Sequence, residues 1–494
     1  MDKESITPKS STKTRRVVIE PVSRVEGHGK VTLLLDENNH VTQARLHIVE
    51  FRGFERFIQG RPYWELPTLV QRLCGICPIS HHLAAAKAID QLVGVDQLTP
   101  SAEKLRKLLH FGQVLQSHAL HFFYLASPDL LFGFDSDISQ RNILALLEQY
   151  PDIAMQGIKL RKFGQEVIQA VAGKRIHGSA AIAGGMNKHL DVEQRNYLLQ
   201  DIDKIIKWSQ DAVDLATKIH LSDPAFNNEF ATVQSGFMGL VGQQGELELY
   251  HGGLRGVDRT EQTVFDHFNY QNYNEMIHEQ VKPWTYMKFP FYVPLGPNDG
   301  WYRVGPLARV NLCDSISTPY AEVARTTFKA QTGQSFVQST LAFHWARMIE
   351  LLHCAESIKN LLHDPDLLSG ELVLRGEKRF EGIGVIEAPR GTLFHHYQTD
   401  ENDIVVKANL IVSTTSNNQA MNESVRQVAA QYLEGQTLTE NLLNYVEVAI
   451  RAYDPCLSCA THAVGKMPLD IELIDAKGAL LHRLSKNHQG EISE

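Results

Sequence analysis

The chain has 494 residues, 43% of them hydrophobic, and a formal net charge of −9. This size predicts a large buried core in two or three domains, or in one large domain with insertions. The negative charge argues against nucleic acid as a partner. No apolar run approaches the roughly 18 residues of a membrane span. The polar N-terminus lacks a secretory signal and cysteines are few, so we expect a cytoplasmic protein.

The N-terminal part predicts a mobile tail, then a small antiparallel sheet. Residues 1–14 are rich in Ser, Thr and Lys. Apolar residues alternate from 15 to 51, with a polar turn at 36–40. After Pro78 the apolar spacing becomes helical, first in an Ala-rich segment and then in one long amphipathic helix between Leu105 and Phe122.

Further along the chain the pattern stays mainly helical. Residues 195–219 and 340–363 predict two more long helices, whereas 222–310 is rich in Gly, Pro and aromatics and predicts extended, loop-heavy packing. The predicted fold class is therefore α+β and mainly helical, with a small N-terminal antiparallel sheet and a core of long helices.

The C-terminal region predicts a capped helix and a hairpin. Thr437 and Glu440 have capping-box spacing before an apolar helical stripe. Pro455 disfavours helix at Asp454, so the helix should end there. Alternating apolar residues on both sides of 476–478 predict a short hairpin.

Two Cys-x-x-Cys pairs lie near opposite ends of the chain, Cys74 with Cys77 and Cys456 with Cys459. The spacing predicts a thiolate cage for a metal, assembled by folding. A dithiol redox pair needs no distant second pair, and zinc pairs usually lie within a few tens of residues. Four thiolates suit zinc, iron or nickel, and ligand chemistry alone does not choose among them.

The motifs around these cysteines resemble those of nickel–iron hydrogenase large subunits. The two signatures are RLCGICPISH at 72–81 and DPCLSCATH at 454–462, accompanied by RVEGH at 24–28 and EAPRG at 387–391. The likeness runs from about residue 16 to the C-terminus. It is closest to the large subunit of cytoplasmic, bidirectional, NAD-linked hydrogenases, through the segments EFRGFERF, GFMGLVG, YRVGPLARVN and PRGTLFHHY. Related respiratory complex I-type subunits generally lack the four cysteines.

The resemblance implies a reversible, heterolytic cleavage of H2 to protons and electrons at a nickel–iron centre. All four cysteines would bind nickel. Cys77 and Cys459 would bridge to an iron that carries carbon monoxide and cyanide, and Cys74 and Cys456 would be terminal, with Cys456 able to accept a proton.

The same resemblance assigns roles to charged residues near the centre. Glu26 would be the proton-gate carboxylate, with pairing to Arg24 or a turn cap as the alternative. Arg390 would hang over the open metal position. Asp129 and Asp454 would hold its guanidinium, because a buried cation needs partners.

Other matched positions would surround the bridging sulfur and the iron. His81 lies one helical turn after Cys77 and would donate a hydrogen bond to its sulfur, with an ordinary core histidine as the alternative. Thr414 matches a residue that hydrogen-bonds an iron cyanide, and Ser413 stands where many uptake hydrogenases have proline. Pro389, in the EAPRG motif, would line the same ligands.

A second metal site is implied near the base of the proton route. Glu55, the backbone carbonyl of Leu410 and His462 match a buried magnesium site in the family. Oxygen ligands with one imidazole also suit iron or another divalent ion.

The remaining cysteines, Cys313 and Cys354, are isolated and cannot support an iron–sulfur relay. Electrons therefore need a partner. The family supplies an iron–sulfur small subunit, to which the NAD-linked group adds a flavin-containing diaphorase. The alternatives are another soluble acceptor, such as NADP or a deazaflavin, or a hydrogen sensor with little turnover.

The resemblance also divides the chain at His462. Residues 15–462 would form the catalytic domain, and 463–494 would be a maturation peptide that a protease removes once nickel-insertion factors have acted. The alternative is a permanent C-terminal hairpin.

Overall fold

The structure, a computed structural model, describes residues 15–19, 22–38, 40–48, 54–282, 285, 287–433, 436, 439–457, 469–474, 480–486 and 492–493. The helices are α1 (Phe54–Phe57), α2 (Leu66–Leu69), α3 (Pro78–Leu92), α4 (Pro100–Leu120), α5 (Ser127–Phe132), α6 (Ile143–Gln149), α7 (Pro151–Ala172), α8 (Val192–Ser222), α9 (Pro224–Glu229), α10 (Tyr273–Met276), α11 (Gly296–Asp299), α12 (Pro306–Leu312), α13 (Pro319–Thr332), α14 (Ala342–Leu362), α15 (Ser413–Ser416), α16 (Asn418–Val428) and α17 (Glu440–Ala452).

The strands are short and spread along the chain. They are β1 (Arg15–Ile19), β2 (Gly29–Leu35), β3 (Val41–Ile48), β4 (Ala181–Ile182), β5 (Gly185–Met186), β6 (Gly236–Val241), β7 (Gly253–Val257), β8 (Thr263–Phe268), β9 (Ile277–Gln280), β10 (Phe289–Tyr292), β11 (Tyr302–Arg303), β12 (Glu381–Ala388), β13 (Gly391–Thr399), β14 (Val405–Ile411), β15 (Leu469–Ile474), β16 (Leu480–Lys486) and β17 (Ile492–Ser493).

The N-terminal sheet combines the two ends of the chain. The predicted strands β1, β2 and β3 are confirmed, and Asp36 closes the turn between β2 and β3 by accepting the backbone N–H groups of Asn38 and His40. The C-terminal hairpin is also confirmed, because β15 pairs with β16. β15 then pairs antiparallel with β1, which gives the six-stranded order β17-β16-β15-β1-β2-β3.

Long helices form the centre of the molecule. α14 is buried along most of its length and packs against α4 and α8, and α4 packs closely against α7. α4, α8 and α14 confirm the predictions made from apolar spacing. α3 contacts the three-stranded sheet β12-β13-β14, so the first cysteine motif and the EAPRG motif meet across this contact.

Two local predictions need correction. The segment 222–310 is more ordered than expected, since β6, β7 and β8 form a four-stranded sheet with β11. The side chain that caps α17 is Thr439, whose Oγ1 accepts from Leu442 N at 3.3 Å. Thr437, the predicted cap, lies outside the described residues. The helix ends at Ala452, and Asp454 already has a left-handed φ of 55°.

Candidate metal centre

Three cysteine sulfurs converge in the interior. Cys74 follows a 3₁₀ turn, Cys77 precedes Pro78 at the start of α3, and Cys456 lies just beyond the end of α17. The Sγ of Cys74 lies 2.8 Å from that of Cys456 and 2.9 Å from that of Cys77. All three residues are buried, and together they form a candidate metal-binding group. The predicted fourth ligand, Cys459, lies outside the described residues.

Of the three described sulfurs, that of Cys74 ionises most readily. The backbone N–H groups of Ile76 and Cys77 donate to its Sγ at 3.3 and 3.2 Å. Burial opposes ionisation, but hydrogen bonds from Cys456 and Cys77 and the charge of Arg390 outweigh it, so the pKa of Cys74 falls well below its usual value. The pKa values of Cys77 and Cys456 rise correspondingly. Buried thiolate sulfur suits a soft or borderline metal, so this donor set fits nickel.

Arg390 brings a buried positive charge to the centre. Its guanidinium lies 2.8 Å from Asp454 Oδ1 and donates to Ser117 Oγ at 3.1 Å. Burial works against the charge, but Asp454 and the cysteine sulfurs raise the pKa of Arg390, so it stays a cation. Asp454 therefore holds Arg390, in the contact that the resemblance implied.

Asp129 does not hold Arg390, and that expectation is wrong. Its carboxylate instead contacts Arg24 at 2.5 Å and forms an ion pair with Arg451. Asn444 also donates to Asp129, at 3.2 Å. The reason is proximity, since Arg451 in the last turn of α17 and Arg24 in the N-terminal loop both reach Asp129. This pairing ties the N-terminal loop to the helix that precedes Cys456.

The loop that carries Arg390 is held by an arginine that sequence reasoning missed. Arg309 donates to Glu387 at 2.7 Å, to Glu350 at 2.6 Å, and to the carbonyl oxygens of residues 388 and 389 at 3.0 and 3.3 Å. All of these groups are buried. The segment YRVGPLARVN contains Arg309, but nothing in its pattern pairs this arginine with residues so far along the chain.

The backbone of Glu26 pairs with the backbone of Cys456. The two residues form a parallel bridge, and Leu457 N donates to Glu26 O at 2.7 Å. The side chain of Glu26 is buried. Arg24 hydrogen-bonds to Leu125, Asp129 and Asn444.

A narrow cavity next to the sulfurs collects most of the remaining predicted residues. It is lined by Cys77, His81, Ala388, Pro389, Arg390, Leu393, Val412, Ser413, Thr414 and Cys456. Thr414 Oγ1 accepts from Cys456 N at 3.0 Å, and Ser413 Oγ donates to Gly391 O at 2.6 Å. Their hydroxyl groups therefore fix the backbone on both sides of the cavity.

His81 contacts two residues that sequence reasoning did not single out. Its Nδ1 lies 3.1 Å from Nε2 of His395, whose Nδ1 lies 2.5 Å from the hydroxyl of Tyr397. His395 and Tyr397 stand two residues apart on β13 and so share one face of the strand. That spacing is visible in PRGTLFHHY, but the partner on α3 is not.

The predicted second metal site is only partly described. Glu55 Oε1 accepts from Leu410 N at 3.0 Å, which brings these two predicted ligands together through the amide of Leu410. Lys288 lies 3.7 Å from Glu55 and 3.0 Å from Glu279. His462 lies outside the described residues. Two carboxylates at one place suit a hard cation, and Lys288 adds a positive charge there.

Comparison with known proteins identifies the family. The profile described as nickel-dependent hydrogenase matches residues 52–132 and 248–462, and a HoxL-like profile matches 16–51. The chain belongs to the nickel-dependent hydrogenase family. The three described cysteines that converge are therefore those of a hydrogenase large subunit, as the motif resemblance implied.

This hydrogenase large subunit has relatives that match over nearly their whole length. The beta subunit of the NAD-reducing hydrogenase HoxS from Cupriavidus necator is 48% identical, over 95% of this chain and 99% of the relative. A component of the F420-non-reducing hydrogenase from Methanothermobacter marburgensis is 40% identical, over 95% of this chain and 100% of the relative.

Solved structures give the same result for the fold. A NAD+-reducing [NiFe]-hydrogenase in the H2-reduced state matches with a TM-score of 0.88 and 55% identity, over 91% of this chain and 99% of that one. The NiFeSe hydrogenase of Desulfovibrio vulgaris Hildenborough shares the fold, with a TM-score of 0.72 at 22% identity. Within the described residues, none of the helices is both long and apolar enough to cross a bilayer.

Proposed function

We propose that this chain is the H2-activating large subunit of a cytoplasmic hydrogenase that couples H2 ⇌ 2H⁺ + 2e⁻ to NAD⁺. The observation that carries the proposal is the convergence of the three described sulfurs beside the buried cation of Arg390. The 48% identity to a component of a NAD-reducing hydrogenase supports NAD⁺ as the acceptor.

The four motif cysteines would hold the nickel–iron centre. Cys74 and Cys456 would bind nickel alone, and Cys77 and Cys459 would bridge to iron. The cavity wall at Pro389, where the hydroxyls of Ser413 and Thr414 also lie, would surround carbon monoxide and cyanide on the iron. When bound, this centre supplies the redox metals at which H2 is split heterolytically.

The residues of this chain then manage charge and protons. Arg390 keeps a fixed positive charge at the cavity, and Asp454 keeps it in place. A terminal thiolate at Cys456 can take up a proton, and Glu26 is joined to Cys456 by backbone pairing. A buried carboxylate on the residue whose backbone pairs with Cys456 is suited to pass the proton outward. The proton route would therefore begin at Cys456 and continue through Glu26.

Replacing Glu26 tests this proton route. Glu26→Gln keeps the size of the side chain but removes its ability to take up a proton at neutral pH. We expect the H/D exchange activity of the complex to fall by about a hundredfold or more, the usual contribution of a positioned acid–base group. Nickel and iron contents should stay at the wild-type level. The measurement is mass spectrometry of HD formed from D2 and H2O.

The exposed Glu371 offers a matched control, because Glu371→Gln makes the same chemical change on the surface. This variant should exchange at the wild-type rate. Wild-type exchange in Glu26→Gln with full metal content would remove Glu26 from the proton route.

Electrons would leave through partner subunits. Cys313 and Cys354 are buried singly in helical surroundings, and burial raises the pKa of Cys313 to about 12, so it is not an ionised ligand. We propose that the first electron acceptor is an iron–sulfur small subunit, and that diaphorase subunits with flavin and a NAD site lie beyond it.

A magnesium or iron ion would occupy the second site. Glu55 and the backbone of Leu410 would be its described ligands, with His462 as the third. Glu279 and Lys288, which lie around Glu55, would hydrogen-bond to the water that such an ion retains.

The segment 463–494 would be removed during maturation, after nickel-insertion factors have acted on the chain. Two observations support this proposal. The family match ends at residue 462, and β15 and β16 attach to the edge of the N-terminal sheet through β1, outside the metal centre.

The acceptor can be tested on the complex purified through a tag on one of its partners. We expect H2-dependent reduction of NAD⁺ that greatly exceeds reduction of NADP⁺ or a deazaflavin. Preference for either of the latter would support the alternative acceptors. H2 binding with negligible turnover on every acceptor would support the sensor alternative and contradict the proposal.

A further inference from the structure

Three buried side chains form a hydrogen-bonded row that leads from the β12-β13-β14 sheet to the metal centre. Tyr397, His395 and His81 are 0%, 0% and 2% exposed. The hydroxyl of Tyr397 lies 2.5 Å from His395 Nδ1, and His395 Nε2 lies 3.1 Å from His81 Nδ1. His81 lines the cavity that also contains Cys77 and Cys456.

The tyrosine sets the direction of these hydrogen bonds. The hydroxyl of Tyr397 makes its one hydrogen bond, within the described part of the chain, to His395. If His395 Nδ1 donated to this hydroxyl, the O–H of Tyr397 would be buried without an acceptor. Buried polar groups are almost always partnered, so Tyr397 must donate and His395 Nδ1 must accept. Burial also raises the pKa of Tyr397 well above its usual value, which keeps the phenol protonated.

The direction of the Tyr397–His395 hydrogen bond also fixes the direction of the bond between the rings of His395 and His81. A neutral imidazole has one N–H and one bare nitrogen. Because His395 accepts at Nδ1, its proton is on Nε2 and is donated to His81 Nδ1. Burial lowers the pKa of His395 well below its usual value, in agreement with a neutral ring. His81 accepts at Nδ1, so its own proton must be on Nε2.

We propose that Tyr397 and His395 are positioning residues that fix His81 as the Nε2–H tautomer, so that His81 offers the cysteine sulfurs a hydrogen-bond donor. The opposite tautomer would present a bare imidazole nitrogen. Such a nitrogen would repel a thiolate and could itself bind a metal, as neutral imidazole commonly does. The row would thus keep His81 outside the ligand set, and a hydrogen bond from its Nε2–H would lower the electron density on a sulfur of the cavity that they share.

The positioning role of Tyr397 and His395 rests on the proposed nickel–iron site. The donor–acceptor direction of the hydrogen bonds among Tyr397, His395 and His81 does not depend on that site. The first experiment therefore reads the protons directly, by neutron diffraction from the perdeuterated complex. We expect deuterium on Tyr397 Oη, His395 Nε2 and His81 Nε2. Deuterium on His81 Nδ1 would overturn the proposal. A centre that contained zinc would contradict the proposed function, but it would not contradict the assignment of His81 as the Nε2–H tautomer.

Two variants of one residue test the consequence. In His395→Gln the amide oxygen can accept from Tyr397 and the amide nitrogen can donate to His81, so the tautomer should be kept. In His395→Leu both bonds are lost. We expect the infrared stretching bands of the carbon monoxide and cyanide ligands to shift to lower frequency in His395→Leu, because the sulfur loses its donor, and to stay at the wild-type position in His395→Gln. Identical spectra for wild type, His395→Gln and His395→Leu at full metal content would overturn the positioning role.

Discussion

At the scale of single residues, ion pairs hold two strained backbone positions near the metal centre. Arg24 and Asp454 both have left-handed φ values, 50° and 55°, which are unfavourable for residues with a Cβ. Each is fixed by an ion pair, Arg24 with Asp129 and Asp454 with Arg390. Asp454 lies two residues before Cys456, and Arg24 lies two residues before Glu26, whose backbone bridges Cys456. Ionic partners therefore help to hold the backbone around Cys456.

Buried histidines make the stability of the chain sensitive to acid. His82 donates from Nδ1 to Pro67 O at 2.7 Å, and its Nε2 accepts from Ala181 N at 3.0 Å, so the folded state needs the neutral ring. Burial lowers the pKa of His82 to about 4. The unfolded chain binds this proton below about pH 6.5, so the contribution of His82 is complete above that pH and is lost as the pH falls toward 4.

Replacing His82 by glutamine should reduce this acid sensitivity. The amide of His82→Gln can make both hydrogen bonds and does not titrate. From pH 7 to pH 5 we expect its free energy of unfolding to fall by about 2 kcal/mol less than that of the wild type. Urea unfolding of the full chain at both pH values measures this. The exposed His363→Gln should behave as wild type, and equal pH dependence in His82→Gln and wild type would contradict the account.

The contacts between individual side chains around the metal centre were the feature of the site that the sequence predicted least well. The motif resemblance brought Arg390 together with Asp454, but it misplaced Asp129, because Arg24 and Arg451 compete for the same carboxylate and no pattern in the sequence reveals that competition. His395 and Tyr397 were missed for a similar reason. Their common strand face is visible in the sequence, whereas their partner on α3 depends on how the helix packs against the sheet.

At the scale of elements, periodicity predicted the helices well because their apolar faces are long. α4, α8 and α14 were predicted from apolar spacing alone. The strands of 222–310 were missed, since frequent Gly, Pro and aromatic residues conceal the alternation in short strands. The pairing of β15 with β1 was also missed, because it joins segments from the two ends of the chain.

The packing of α4 against α7 gives a prediction at this scale. A Cβ on Gly164 would lie 2.7 Å from Gln116 Cβ and from Gly112 O, too close for the helices to stay where they are. We expect Gly164→Ala to lower the free energy of unfolding by about 1–3 kcal/mol, despite the better helix propensity of alanine. Urea unfolding measures the difference. Met155→Ala, on the exposed face of α7, should change it by less than about 0.5 kcal/mol. A Gly164→Ala variant as stable as the wild type would contradict the close packing.

At the scale of the whole molecule, the two ends of the chain meet twice. Cys74 meets Cys456 at the metal centre, and β1 meets β15 in the N-terminal sheet. The first meeting builds the site, and the second involves the segment that we propose is removed. The chain would therefore reach its active form only when the three strands β15, β16 and β17 are lost from this sheet.

Intact-mass analysis tests this processing. We expect the large subunit in the active complex to end at His462, and the subunit from cells grown without nickel to retain residues 463–494. The physical reason is that removal of the segment frees the end of the chain that carries Cys459. An active complex whose large subunit keeps all 494 residues would contradict it.

The central claim is that the cysteines at the two ends of the chain hold a nickel–iron centre. Its most direct test is metal analysis combined with infrared spectroscopy of the complex purified through one of its partners. The account predicts nickel and iron together with absorption bands of metal-bound carbon monoxide and cyanide, and the loss of both metals in Cys77→Ser. Stoichiometric zinc in place of nickel, without those bands in a processed chain, would contradict it.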